Sequence, residues 1–233
     1  MAVINSFLMI GQSNMAGRGN FGEVPEIDNK LCQMLRMGGW QKMSEPINVD
    51  RGVFTEWFSG VSLAASFADE YAKHYNQPVG LIPCADGGTS LADWMPGGIL
   101  FDNALWHAKL AMRTSKLSGI LWHQGENDCM DIKNIDTYIE RFTQMITTLK
   151  KEIGMPDLPV IIGEISENID SERWNIPKEN TVKFNENLTK IPDCKLVKAS
   201  DLQLKEDGIH FNSFSLRILG KRYFEAYKDN AKG

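Results

Sequence analysis

Long apolar runs are missing from this 233-residue chain, and so is any excess of basic charge. No stretch approaches the ~20 consecutive apolar residues that a membrane-spanning helix requires, so none is expected. With 25 Lys and Arg against 30 Asp and Glu, the net charge is -5. That balance offers no basic footprint for nucleic acid and no attraction to an anionic membrane. The opening MAVINSFLMIG has no basic region leading into a signal-like apolar run and cleavage site. As written, the sequence predicts a cytoplasmic protein. Cysteine is scarce: Cys32, Cys84, Cys129 and Cys194 are widely spaced and form no CxxC pair. They read as isolated, reduced thiols, which argues against a cysteine zinc site.

What remains is ordinary for a globular protein, 42% hydrophobic and 24% charged. The length suits one domain over residues 1–233, with neither an internal repeat nor a low-complexity linker. Short apolar runs near residues 6, 79, 118, 159 and 195 read as five strands. Amphipathic segments lie between them, at 61–75, 103–116, 135–150 and 213–227. In the third of these Ile139, Phe142, Ile146 and Leu149 share a face, and Ser213 is a plausible N-cap of the last. This alternation predicts an α/β layer fold with a mainly parallel sheet, whose ligand site lies beyond the carboxyl ends of the strands. The stretch from Gly17 to Ser59 reads as mostly irregular loop near one rim of that site.

The polar residues just past the strands therefore carry the functional reading. Strand one runs into Gly11-Gln12-Ser13-Asn14-Met15-Ala16-Gly17. A serine there can expose its hydroxyl beside backbone N–H groups, as acyl transfer demands, or it can simply cap the next helix. The G-x-S-x-G elbow is not matched, because Met15 replaces the second glycine. Strand two leads into Asp86-Gly87-Gly88-Thr89, where tandem glycines permit close backbone approach or a plain turn. Strand three leads into His123-Gln124-Gly125-Glu126-Asn127-Asp128. Gln124 or Asn127 could donate to an oxyanion, and Glu126 could orient a histidine. The spacing of His123, Glu126 and Asp128 fits no standard metal pattern. Before the last helix comes Asp207-Gly208-Ile209-His210, where the aspartate can fold back onto the imidazole. His74 and His107 fall in helical segments and are poor candidates for a base.

Together, GQSNMAG at 11–17, PCADGGTSLADW at 83–94, WHQGENDC at 122–129 and DGIHFN at 207–212 resemble the SGNH (GDSL-type) hydrolases. The similarity is strongest to the branch of sialate O-acetylesterases and acetyl xylan esterases. The resemblance implies a three-layer α/β/α fold, flavodoxin-like, with a five-stranded parallel sheet. It implies Ser13 as nucleophile, His210 as base, and an oxyanion hole made by the Ser13 N–H, a glycine N–H near Gly88 and a side-chain amide from Asn127 or Gln124. The acid is Asp207 by the Asp-x-x-His pattern, with Glu126 as rival. The implied substrate is a small-molecule or oligosaccharide acetyl ester, and no metal or organic cofactor is required. Trp57, Trp94 and Trp122 could offer aromatic surface to a sugar, and Arg18 could bind a substrate carboxylate or tie down its own loop, the structural role being favoured. The competing readings are a lipid or thioester hydrolase of the same fold, or a carbohydrate-binding protein with a dead site.

Overall fold

Strand β1 (Ile4–Gly11) is apolar at every position from Phe7 to Ile10, the pattern of a strand covered on both faces. The computed structural model describes residues 3–49 and 58–230. It adds β2 (Cys32–Arg36), β3 (Gly39–Lys42), β4 (Val79–Pro83), β5 (Ser115–His123), β6 (Val160–Gly163) and β7 (Cys194–Val197). These form one seven-stranded sheet in the order β3-β2-β4-β1-β5-β6-β7. Every pairing is parallel except that of β2 with β3.

The helices are α1 (Ser13–Ala16), α2 (Leu63–Tyr75), α3 (Ile99–Ala111), α4 (Ile132–Asp136), α5 (Tyr138–Ile153), α6 (Ser171–Trp174), α7 (Lys178–Leu188) and α8 (Ser213–Asn230). The alternation of β1 sorts them into two layers. Phe7 and Met9 pack with Phe67 and Tyr71 of α2 and Leu219 and Phe224 of α8. Leu8 and Ile10 belong to the opposite core, with Ala104 of α3, Phe142 of α5 and Phe184 of α7. The result is an α/β/α sandwich with the expected parallel sheet.

The sheet has seven strands, not five. The two extra ones form a hairpin inside the stretch read as irregular loop, closed by Met37 and Gly38 at φ 49° and 80°. A two-residue turn with both φ positive is usually signalled by Asn-Gly, and Met-Gly hid it. Helix α3 begins at Ile99 and ends at Ala111, earlier than the segment 103–116, because β5 already starts at Ser115. The segment 135–150 is broken at Thr137, which separates α4 from α5. The cap of α8 is Asn212, whose Oδ1 accepts from Ser215 N at 2.9 Å. Ser213 instead donates its hydroxyl to Asn20 O.

Beyond the carboxyl end of β1 the chain must turn tightly against β5. Gly11 has φ +126°, and a Cβ there would stand 2.2 Å from the carbonyl oxygen of His123. Gly11→Ala is therefore expected to lower stability by at least ~1–3 kcal/mol from backbone strain alone. Urea denaturation checks this; a midpoint equal to wild type would contradict the account.

Candidate active site

Four loops meet at the carboxyl edge of the sheet, as the parallel topology requires. After Gly11, the N–H of Gln12 is tied to His123 O at 2.9 Å, and α1 turns away at once. Ser13 is the first residue of that turn and is nearly buried. Its N–H has no acceptor within so short a turn, which leaves it available to a ligand. The loop after β4 is held beside it by Asp86 N donating to Gly11 O at 2.9 Å.

His210 comes from the loop after β7. Its Nε2 lies 2.9 Å from Ser13 Oγ, across 197 residues of sequence. Its Nδ1 lies 3.0 Å from Asp207 Oδ2. The other oxygen of Asp207 accepts the N–H groups of Ile209 and His210 at 3.1 and 3.0 Å. Burial pushes the Asp207 carboxyl up. The hydrogen bonds from His210 and from these amides, with the His210 charge, outweigh it and hold the group well below the carboxylate range. Asp207 is thus an anion positioned to support an imidazolium, and the imidazole can accept the serine proton on its far side.

Asn14 supplies the clamp. Its Oδ1 accepts from Phe211 N at 3.0 Å and its Nδ2 donates to Ile209 O at 3.3 Å, so it grips the backbone on both sides of His210. The same Nδ2 donates to Glu126 Oε1 at 2.5 Å. Glu126 therefore faces Asn14 rather than the imidazole Nδ1. Its Oε2 is buried and has no hydrogen-bond partner among the described residues. The motif GQSN contained Asn14, but an amide one residue past a nucleophile gives no sign of which backbone it will hold.

The amide candidates separate by their partners. Gln124 is fully buried, and its Nε2 donates to Asp128 Oδ2 at 2.6 Å, with Thr89 O and Gln12 Oε1 each at 3.2 Å. Its amide protons are committed inside the protein. Asn127 is half-buried and gives one proton to Gly88 O at 2.7 Å, which leaves a second. Of the tandem glycines it is Gly87 that lies against Ser13 and Arg18: a Cβ there would stand 3.6 Å from Ser13 Cβ and 2.5 Å from Arg18 Nη2, whereas one at Gly88 would meet open space.

The other sequence candidates separate in the same way. Trp94 and Trp122 are core residues, packed edge to face at 5.5 Å, and Trp57 lies outside the described residues. Arg18 donates to Gly17 O and Ser59 Oγ at 3.0 and 3.1 Å, which ties its loop. His74 is exposed on α2, and His107 bonds Asn103 O within α3. His123 is buried, paired through Nδ1 to the Tyr223 hydroxyl, and burial pushes its pKa down to about 3. Among the described residues no group of His, Cys, Asp and Glu is arranged to hold a metal ion. The four cysteines are free.

Glu126 gives a pH signature. Burial raises its pKa above 4.5, against the opposing bond from Asn14. A group with a raised folded pKa holds its proton more tightly when folded, so its contribution to stability is lost as pH rises from the unfolded value through the folded one. Glutamine cannot ionise. The stability of Glu126→Gln relative to wild type should therefore increase as the pH is raised from 4 toward 8, read by thermal melts across that range. A difference independent of pH would refute a buried, ionisable Glu126.

Comparison with known proteins gives the family. A family model described as carbohydrate esterase, sialic acid-specific acetylesterase, matches residues 3–229. A probable carbohydrate esterase of Arabidopsis thaliana is 27% identical, over 96% of this chain and 90% of its own length. The X-ray structure from that plant superposes with a TM-score of 0.84 at 25% identity, covering 98% of this chain and 99% of the other. The structure of NanS shares the fold at TM-score 0.77 and 14% identity, over 99% and 98% of the two chains. An acetylxylan esterase from Geobacillus stearothermophilus, solved as a catalytic mutant, shares it at 0.52 and 12%, over 97% and 95%. The chain belongs to the carbohydrate esterase family of sialic acid-specific acetylesterases.

Proposed function

We propose that this esterase removes acetyl groups from O-acetylated carbohydrates, of the acetyl xylan or sialate type, by a serine mechanism. The observation that carries the mechanism is the unbroken chain Ser13 Oγ–His210 Nε2 and His210 Nδ1–Asp207 Oδ2, at 2.9 and 3.0 Å. Family membership supports the carbohydrate ester.

His210 takes the Ser13 proton as Oγ attacks the ester carbonyl, and Asp207 stabilises the imidazolium that forms. The carbonyl oxygen becomes an oxyanion held by the Ser13 N–H, the N–H of Gly87 and the free proton of Asn127; one such donor contributes about 3 kcal/mol. His210 then gives its proton to the departing sugar hydroxyl, leaving an acetyl-enzyme. Water enters, gives a proton to His210 and attacks the acetyl carbon, and acetate leaves as Ser13 regains its hydrogen. Glu126 acts at one remove, by fixing the Asn14 amide that grips the His210 backbone.

Three outcomes test this reading. A fluorophosphonate should label Ser13 alone, and Ser13→Ala should remove turnover of acetyl esters; labelling of another serine overturns the assignment. Activity should fall from acetyl to butyryl to octanoyl esters, and a profile rising with chain length points to a lipid hydrolase. Asp207→Asn should lower kcat by about 10^4, the cost of losing a triad aspartate, and Glu126→Gln by less. The reverse order in kinetics would make Glu126 the acid.

A further inference from the structure

The sheet divides the ester between its two sides. The loop after β4, with Gly87, flanks Ser13 on one side, while His210 reaches it from beyond β7 on the other. The departing alcohol must meet His210 Nε2 to receive its proton. Its sugar ring is therefore directed toward the β6–β7 side.

Trp174 stands there. Its ring centroid is 6.5 Å from that of His210, with the planes at 72°. Its Nε1 donates to Asp207 O at 2.7 Å, and the side chain is half-buried. The helix that carries it has a single turn, and Trp174 packs one part of its ring against the core. Its hydrogen bonds go to the turn that carries Asp207 and His210. Asp170 N donates to Gly208 O at 2.8 Å, and Arg173 Nη1 to Glu206 O at 3.2 Å. The Arg173 guanidinium also lies 5.9 Å from the Trp174 ring centroid. The element thus sets one indole between the core and the turn of the general base.

We infer that Trp174 is the platform on which the ring of the leaving sugar stacks, and hence a specificity residue for the alcohol half of the substrate. A hydroxyl oxygen within about 3 Å of Nε2 carries its ring into the space beside that indole. The C–H face of a pyranose is apolar and slightly positive, which suits the negative face of an aromatic ring. Of the tryptophans that the sequence offered for this task, Trp94 and Trp122 are buried and cannot serve it, and Trp57 lies outside the described residues.

The inference rests on the esterase reading, and the experiment separates the two. Acetylated xylobiose and ethyl acetate share an acyl group but differ in whether the alcohol has a ring to stack. Trp174→Leu should lower kcat/KM for acetylated xylobiose about tenfold more than for ethyl acetate, chiefly through KM. Trp174→Phe, which keeps a ring but loses the Nε1–H bond to Asp207 O, should recover most of that difference. Equal losses on both esters, or a Phe variant no better than Leu, would reduce Trp174 to a brace for the Asp207 turn and overturn the inference. A second readout needs no turnover. Xylobiose should shift the Trp174 indole N–H resonance, identified by its absence in Trp174→Phe; an unmoved resonance also overturns the inference. Failure of wild type to hydrolyse either ester would count against the esterase reading alone.

Discussion

The side-chain amide of Asn14 sets the distance on which the chemistry depends. Nucleophile and base are 197 residues apart, and the sheet alone fixes only where their loops begin. Asn14 is covalently next to Ser13 and bonded to both flanks of His210, so the two catalytic groups move as one body. Each bond contributes only about 1 kcal/mol net, but breaking one inside a dry site leaves a buried polar group unpaired, which costs more. A misplacement of 1 Å between reacting groups can cost on the order of 10²-fold in rate. Glu126 accepts from the same Nδ2 that bonds Ile209 O, which gives this buried carboxylate a place beside the proposed triad.

Beneath the clamp lies a second polar layer. Gln12 Oε1 accepts from Gln124 Nε2 and from Gly125 N, both at 3.2 Å. Tyr138 donates to Gln124 Oε1 at 2.8 Å. Asp128 accepts from Gln124, from Leu91 N at 2.8 Å and from Arg141 at 3.2 Å. Burial pushes the Asp128 carboxyl up while those three partners pull it back. Such a network is stable only because its members satisfy one another in a low dielectric. It joins the loops after β1, β4 and β5, and so fixes the positions of Gly87 and Asn127, the donors proposed for the oxyanion. The dense motif after β5 is thus mostly scaffold, with Asn127 at its exposed edge.

Local pattern revealed the fold wherever burial on both sides imposed it. Strands β1, β4, β5 and β6 and the faces of α2 and α5 were legible because their apolar spacing reports the core directly, and the edge strand β7 was legible from its short apolar run. The β2–β3 hairpin was not, since β2 mixes polar with apolar residues, β3 is mostly exposed, and a Met-Gly turn joins them. The break between α4 and α5 escaped for a related reason: Ile135 and Ile139 continue a helical spacing that Thr137 interrupts only in the backbone.

At the site, the sequence by itself determined the pieces whose partners are close along the chain. Asp207 and His210 belong to one turn, where three residues of separation bring the carboxylate to the imidazole and to two amides. Ser13 follows a buried strand and a glycine that only a tight reversal explains. Tertiary structure decided what depends on competition between distant partners. Glu126 turned to Asn14, 112 residues away, instead of to His210. Gln124 spent its amide on Asp128, Thr89 and Gln12, while Asn127 kept a proton free. Gly87, not Gly88, came against Ser13, and Trp174 came beside the base from a segment with no periodic signal. A side chain's type limits the bonds it can make, but the direction it points and the rivals it meets are set by packing, and packing joins residues that the sequence keeps apart.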